Sequence, residues 1–345
     1  MSSRFARSCW GLLLVCGVAQ ADPWLAPGDE RVRHDLTLLA DAGILRGPVT
    51  TWPLSWPDVA RDVMAANIDD PRDDATRDAL IRIQRLARAA SSTGFSGLGV
   101  RAAAAHEPIE LRGFADSPRE EGELGARASW LGNHFAMNLS VTAVADADDN
   151  RAVRPDGSYL GVNIGNFMIS AGYMERWWGP GWEGSLALST NARPIPSLTL
   201  ERNYTDPFKT RLLSWLGPWR ASIALGRAES HDVAVPDVRF LAARVIVKPR
   251  PWLEFGVTRT AQWCGGDRDC GWSTFTDMLI GRDNQDDPAA DDEPGNQMAG
   301  YDLRLRSPWR ALPLAFYSQW IGEDEAGGLP SKFLGLLGLE TWMST

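Results

Sequence analysis

At 345 residues and a formal net charge of −9, the chain is long enough for a large core. Its acidic groups gather in connecting segments, which argues against a nucleic-acid partner. Beyond the N-terminus no stretch reaches the roughly 18 apolar residues of a membrane-crossing helix, so any membrane role has to come through a barrel. Positive charge is nearly all arginine, with lysine only at Lys209, Lys248 and Lys332, and sixteen tryptophans fit either interfacial girdles or stacking platforms for sugars.

Residues 1–21 read as a secretory signal: Arg4 and Arg7, an apolar run over residues 11–18, then Ala19 and Ala21 in an Ala-x-Ala arrangement with cleavage expected after Ala21. Acylation at Cys16 is the weaker alternative, because Val15 before it is too bulky for a lipoprotein site. Export removes Cys9 and Cys16. Cys264 and Cys270, six positions apart, then read as a loop disulfide in an oxidising compartment, since a metal or redox site would need more ligands or tighter spacing.

Residues 22–92 read as a small helical segment. Asp29 caps a helix whose Val32, Leu36 and Leu39 share one side and which stops at Gly43. Pro57 opens a second helix toward Met64, and Asp69 or Asp70 is expected to cap a third carrying Leu80, Ile81, Ile83, Gln84 and Leu86.

From about residue 93 to residue 345 the period becomes that of a strand. Phe135, Met137, Leu139, Val141 and Ala143 alternate with His134, Ala136, Asn138, Ser140 and Thr142. The same pattern recurs with Leu124, Ala126, Ala128 and Trp130 against Glu123, Gly125, Arg127 and Ser129. It returns around Leu253, Phe255 and Val257, and around Tyr301, Leu303 and Leu305. A soluble sandwich shows such alternation too. Strands of about ten residues, polar faces carrying small residues and arginines, and aromatics near strand ends favour the barrel. The fold class is therefore mainly β: an antiparallel transmembrane outer-membrane β-barrel with a small N-terminal α-helical segment. About a dozen or slightly more strands are expected, with long exterior loops over residues 146–158 and 264–298.

One segment breaks the alternation. Residues 173–189 place Trp177, Trp178 and Trp182 within six positions around Gly179, Pro180 and Gly181, and Asn191, Arg193 and Pro194 follow. Residues 175–182 and 189–196, together with the layout of signal, helical segment and barrel, resemble the Wzi capsule-assembly family of outer-membrane proteins. That resemblance implies a barrel of about eighteen strands with a helical bundle on the periplasmic side. It also implies a surface lectin, not an enzyme, for capsular or extracellular polysaccharide. Fewer strands are legible than such a barrel needs, and the end over residues 339–345 lacks the usual terminal aromatic, so a truncated member is one expectation.

Binding acidic polysaccharide would use Trp177, Trp178 and Trp182 as flat faces for sugar rings, and Glu175, Arg176, Asn191 and Arg193 for hydroxyls and carboxylates. The competing reading makes the same block an inward-folded plug. A glycosidase built on Glu175 and Glu183 has no support from spacing alone, and the scattered histidines form no triad. Neither cofactor nor metal is expected. The run at residues 146–150 fails the EF-hand pattern at Arg151 and Gly157, and the acidic stretch over residues 283–293 reads as a solvated loop. Outer-membrane lipid is the other expected partner, and the chain is expected to be monomeric. The alternative function is a specific porin with a lumen lined by Arg127, Arg304 and Arg306.

Overall fold

The computed structural model describes residues 11–16, 21–69, 73–147, 149–228, 235–266, 270–280, 296–309, 312–326 and 329–342. Residues 1–10 and 17–20 of the proposed signal, Asp70 and the acidic stretch over residues 283–293 lie outside the described residues.

In chain order the elements begin with β1 (Gly11–Cys16), β2 (Trp24–Leu25), α1 (Glu30–Asp41), β3 (Thr51–Trp52), β4 (Leu54–Ser55), α2 (Trp56–Ala65) and α3 (Asp74–Ala90). Then come β5 (Gly94–Ala105), β6 (Gly122–Leu131), β7 (Phe135–Ala145), β8 (Val153–Arg154), β9 (Tyr159–Ile164), β10 (Phe167–Gly172), β11 (Trp177–Trp178) and β12 (Ser197–Arg202). The chain continues with β13 (Trp219–Arg227), β14 (Arg239–Arg250), β15 (Leu253–Trp263), α4 (Trp272–Ile280), β16 (Gln297–Arg306), β17 (Leu314–Ala326) and β18 (Leu329–Thr341).

The three N-terminal helices follow the caps that their sequences offer. Asp29 accepts from the Val32 amide at the start of α1, and Gly43 closes that helix with a left-handed φ of 79°. Ser55 caps α2, with Pro57 in its first turn. The third cap is a correction. Asp73, not Asp69 or Asp70, accepts from the Thr76 amide, which leaves room for the turn after α2. Leu36, Leu39, Val63, Leu80 and Ile83 are wholly buried between these helices.

Apart from the short pairs β2 with β4 and β3 with β11, the strands form one 14-stranded antiparallel sheet in the order β1-β5-β6-β7-β9-β10-β12-β13-β14-β15-β16-β17-β18, with β8 pairing β7. Every step after β5 joins the next long strand along the chain, as in an up-and-down meander. Residues 11–16, read as part of a signal, form β1 and pair with β5. Among the described residues the outer strands β1 and β18 are not paired with each other.

The two faces of this sheet reverse the arrangement of a soluble protein. Phe95, Leu124, Leu139, Leu160, Leu198 and Leu337 are exposed, at 51% for Leu139. Ser129, Asn138, Thr199, Glu201, Arg244 and Asp302 are buried on the opposite face. An apolar band turned outward around a polar interior is stable only where hydrocarbon replaces water at the outside. At the end where the helices attach, Phe95, Trp130, Phe135 and Trp252 are exposed, in keeping with an interfacial aromatic belt.

Candidate functional site

Two loops leave the sheet and fold to its inner side, residues 106–121 between β5 and β6 and residues 173–196 between β10 and β12. Gly179, Pro180 and Gly181 keep the second loop from continuing as a wall strand, and it runs down onto the helical segment. There β11 pairs with β3, Trp177 opposite Trp52 and Trp178 opposite Thr51, and the Gly179 amide donates to the Thr50 carbonyl. A Cβ on Gly179 would come within 2.6 Å of the Gln319 amide, so a larger residue here would have to displace that side chain.

Phe114 from the first loop is fully buried at the centre. Its ring meets those of Trp52, Trp177 and Trp182 edge to face at centroid distances of 5.0, 5.5 and 6.4 Å. The Arg33 guanidinium lies 4.3 Å over Phe114 and 4.2 Å over Trp182, and donates to the Pro180 carbonyl at 2.7 Å. Burial lowers the pKa of Arg33 to about 9.

This geometry corrects one part of the sequence reading. Trp177 and Trp178 are completely buried and present no open ring face to a ligand. The Trp177 indole N–H donates to the Gly181 carbonyl at 2.9 Å, and Trp178 packs with Ala224, Phe240 and Ala242 of the wall. Trp182 is half-buried, its N–H on Glu340 at 2.7 Å. Arg176 turns toward the wall, donating to Thr199 Oγ1 at 2.5 Å and Ser197 Oγ at 3.1 Å. These four residues hold the loop in place.

The other three expected residues converge at the end of the sheet away from the helices. Arg119, from the first inward loop, ties two of them: it donates to the carbonyls of Thr190 at 2.7 Å and Asn191 at 2.8 Å, and reaches Glu175 at 3.4 Å. The Asn191 side chain accepts from the Arg112 amide at 3.0 Å and remains exposed. Arg193 grips Asp156 through two hydrogen bonds, at 2.8 and 2.9 Å, and Asp149 at 2.8 Å. Burial raises the pKa of the Glu175 carboxyl and lowers that of Arg112. The result is a polar rim of charged and amide groups held by two loops.

Sequence reasoning missed Arg112, Phe114 and Arg119. The signal available was the interruption of period-2 alternation over residues 106–121, the same kind of break that singled out residues 173–189. Cys264 and Cys270 are joined, with their Cα atoms 5.0 Å apart, at the start of the loop that carries α4.

Interior arginines lock the helical segment to the wall. Arg304 bonds both Asp41, at 2.8 and 2.9 Å, and Glu340, while Arg244 bridges Asp302 and Thr51. Arg306 donates to the Asp41 carbonyl at 2.5 Å. Arg304 and Arg306 therefore do not serve as free cations of an open pore. Below the rim, between β5, β6, β7, β9 and residues 22–31, lies a cavity of about 820 Å³ with Glu175 and Arg119 in its wall.

Comparison with known proteins gives a consistent result. The family model described as "Capsule assembly protein Wzi" matches residues 95–345. A Klebsiella pneumoniae protein described as an uncharacterized 55.8 kDa protein in the cps region is 31% identical over 334 residues, which are 96% of this chain and 64% of that relative. The chain thus spans less than two-thirds of that relative's length. A solved structure, described as Wzi, an outer membrane protein involved in group 1 capsule assembly in Escherichia coli and a carbohydrate-binding β-barrel, superimposes with a TM-score of 0.78. It shares 30% identity, over 92% of this chain and 67% of that one.

Proposed function

Because this chain belongs to the Wzi capsule-assembly family, with the sheet of a β-barrel, we propose that it binds capsular or extracellular polysaccharide at the rim formed by Glu175, Asn191 and Arg193 together with Arg119. The observation that carries this reading is the convergence of two inward loops on a polar surface at the end of the barrel opposite the helices. Sugar hydroxyls need planar donors and acceptors already fixed in direction, and the Arg119 and Arg112 bonds fix them here. Glu175 accepts, Asn191 does both, and Arg193, held by Asp149 and Asp156, fixes the acceptor oxygens of those carboxylates at the edge of the rim.

In this reading the chain is exported by its N-terminal signal. The apolar outer band sits in outer-membrane lipid as a monomer, and the rim faces the cell exterior. Binding is non-covalent and no bond is broken. Glu183 is exposed beside Gly113, whereas Glu175 lies in the Arg119 cluster, so the two carboxylates serve different surroundings.

The test is titration of the detergent-solubilised protein with acidic capsular polysaccharide. Asn191→Ala combined with Arg193→Ala is expected to weaken binding about tenfold or more, and added salt to weaken the wild type. Equal affinity for wild type and the double variant, with the barrel intact by heat-modifiable electrophoretic mobility, overturns the rim as the site.

A further inference from the structure

At the end of the wall away from the helices, one patch breaks the rule that outward side chains are open. Leu241 on β14 stands opposite Ala261 on β15, and Ala261 opposite Gln297 on β16. The alternate residues Phe240 and Ala242 meet the plug at Trp178, so Leu241 and its row face outward. Yet Leu241, Ala261 and Trp263 are buried, whereas Val245, Val257 and Tyr301, lower on the same face, are exposed. The cover is α4. Its Met278 is fully buried among these three residues and Cys264, and Phe275 meets the Trp263 ring at a centroid distance of 5.4 Å. The helix therefore lies on the outer face of the sheet, tethered near its start by the disulfide between Cys264 and Cys270.

Trp272, Phe275 and Leu279, spaced three and four positions apart, form one stripe along α4. Met278 borders that stripe and turns to the wall, while Ser273 and Thr276 lie off it. Trp272 and Leu279 stand away from the wall, 77% and 43% exposed. The C-terminal end of the helix is closed by the wall itself: Arg259, on the outward row of β15, donates to the carbonyls of Met278 and Leu279 and to Gln297 Oε1. A guanidinium turned toward hydrocarbon is costly, and so are helix-end carbonyls without water. Here each satisfies the other.

Depth agrees with this placement. From Trp252, in the aromatic belt at the helical end, to Ala261 the chain rises ~31 Å along β15, which a strand tilt of about 40° turns into ~23 Å along the membrane normal. The apolar band of such barrels is about 25 Å tall, so α4 sits at its far edge.

We propose that α4 is an interfacial helix whose Trp272 and Leu279 insert into the exterior leaflet of the bilayer, at the boundary between headgroups and acyl chains. Tryptophan suits that level because it joins an apolar ring to a polar N–H. Single exposed apolar side chains are ordinary on any surface. These two share one helix side, on the face of the wall that already turns Val245, Val257 and Tyr301 outward, and so extend the lipid-facing band by one helix. The inference rests on the lipid-facing wall of the proposed function and is independent of the rim.

Fluorescence quenching in vesicles tests it, with a thiol-reactive bimane label at single introduced cysteines. With Cys264 and Cys270 joined, such a cysteine is the only free thiol after residue 21. Trp272→Cys and Leu279→Cys probe the helix, Leu139→Cys the wall and Asn191→Cys the rim. Emission from the first three is expected to fall in brominated relative to unbrominated phospholipid and to resist aqueous iodide, and Asn191→Cys to behave in the opposite way. Lipid quenching at Leu139, with iodide but not lipid quenching at Trp272 and Leu279, overturns the helix assignment alone. Protection of these two positions from both quenchers, as a second copy of the chain would give, overturns it as well. Absence of lipid quenching at Leu139 overturns the lipid-facing wall and the helix assignment with it. Where a labelled helix variant loses the heat-modifiable mobility of the folded barrel, hydroxyl-radical oxidation of Trp272 in the unlabelled protein decides. Slower oxidation in vesicles than in the urea-unfolded chain supports insertion, and an equal rate overturns it.

Discussion

The helical segment and the barrel wall follow opposite rules within one chain. In the helices Leu36, Leu39, Leu80 and Ile83 are sealed inside and charged groups such as Arg77 and Asp74 stand outside. In the sheet Leu124, Leu139 and Leu337 point outward, and Arg244, Asp302, Glu254 and Gln319 are sealed inside. Both arrangements satisfy the same requirement, that apolar surface meets an apolar medium and buried polar atoms find partners. Comparing them shows that water is the solvent of one region and hydrocarbon that of the other.

Substituting leucines in the two regions is the sharpest way to break this comparison. Leu36→Ala removes fully buried apolar volume from the helical core and is expected to cost about 2–5 kcal/mol. Leu139→Ala, facing lipid, is expected to cost less than about 1 kcal/mol, since lipid chains fill the vacated volume. Unfolding by urea from lipid vesicles reads both, and equal costs would mean that the outer face is packed against protein.

Next in size, Leu139→Arg is expected to cost about 2–4 kcal/mol in the bilayer, depending on depth. The same change on a water-exposed surface is nearly neutral. A value near zero in vesicles would place Leu139 outside the hydrocarbon.

A smaller effect concerns the contact between the regions. Asp22 lies where the chain enters the helical segment, bonded to Tyr159 of the wall, and burial raises its pKa from 3.8 to about 6. A raised carboxyl pKa means that folding favours the protonated form. Its contribution to stability is full below pH 3.8 and is lost as pH rises through about 6. Relative to wild type, Asp22→Asn is expected to gain stability progressively across that window and to hold a constant difference above it. A difference independent of pH would show that Asp22 does not titrate there.

Much of the wall was legible in the residues. The alternation at Glu123 to Trp130 and at Phe135 to Ala143 fixes which side chains share a face, because strand geometry has a period of two whatever the neighbours are. The break at Trp177, Trp178 and Trp182 was equally visible as an element that leaves the wall. Its role was not. Trp177 is buried because Trp52 and Phe114 close around it, 125 and 63 positions earlier in the chain, and no local pattern encodes those partners. The same holds for Arg304, which looked like a lumen cation and is bonded to Asp41, 263 positions away.

What the sequence alone determined is local and periodic: the strand and helix elements, the oily and polar faces of each strand, the cap at Asp29 and the segment where the wall is interrupted. Only the tertiary structure decided which tryptophans are packing and which polar groups remain open, and it gathered Arg112 and Arg119 with Asn191 into one rim. Backbone geometry and hydropathy act between neighbours along the chain, whereas ion pairs, ring contacts and cavities depend on distances in space that the packing of the sheet, the inward loops and the helices sets.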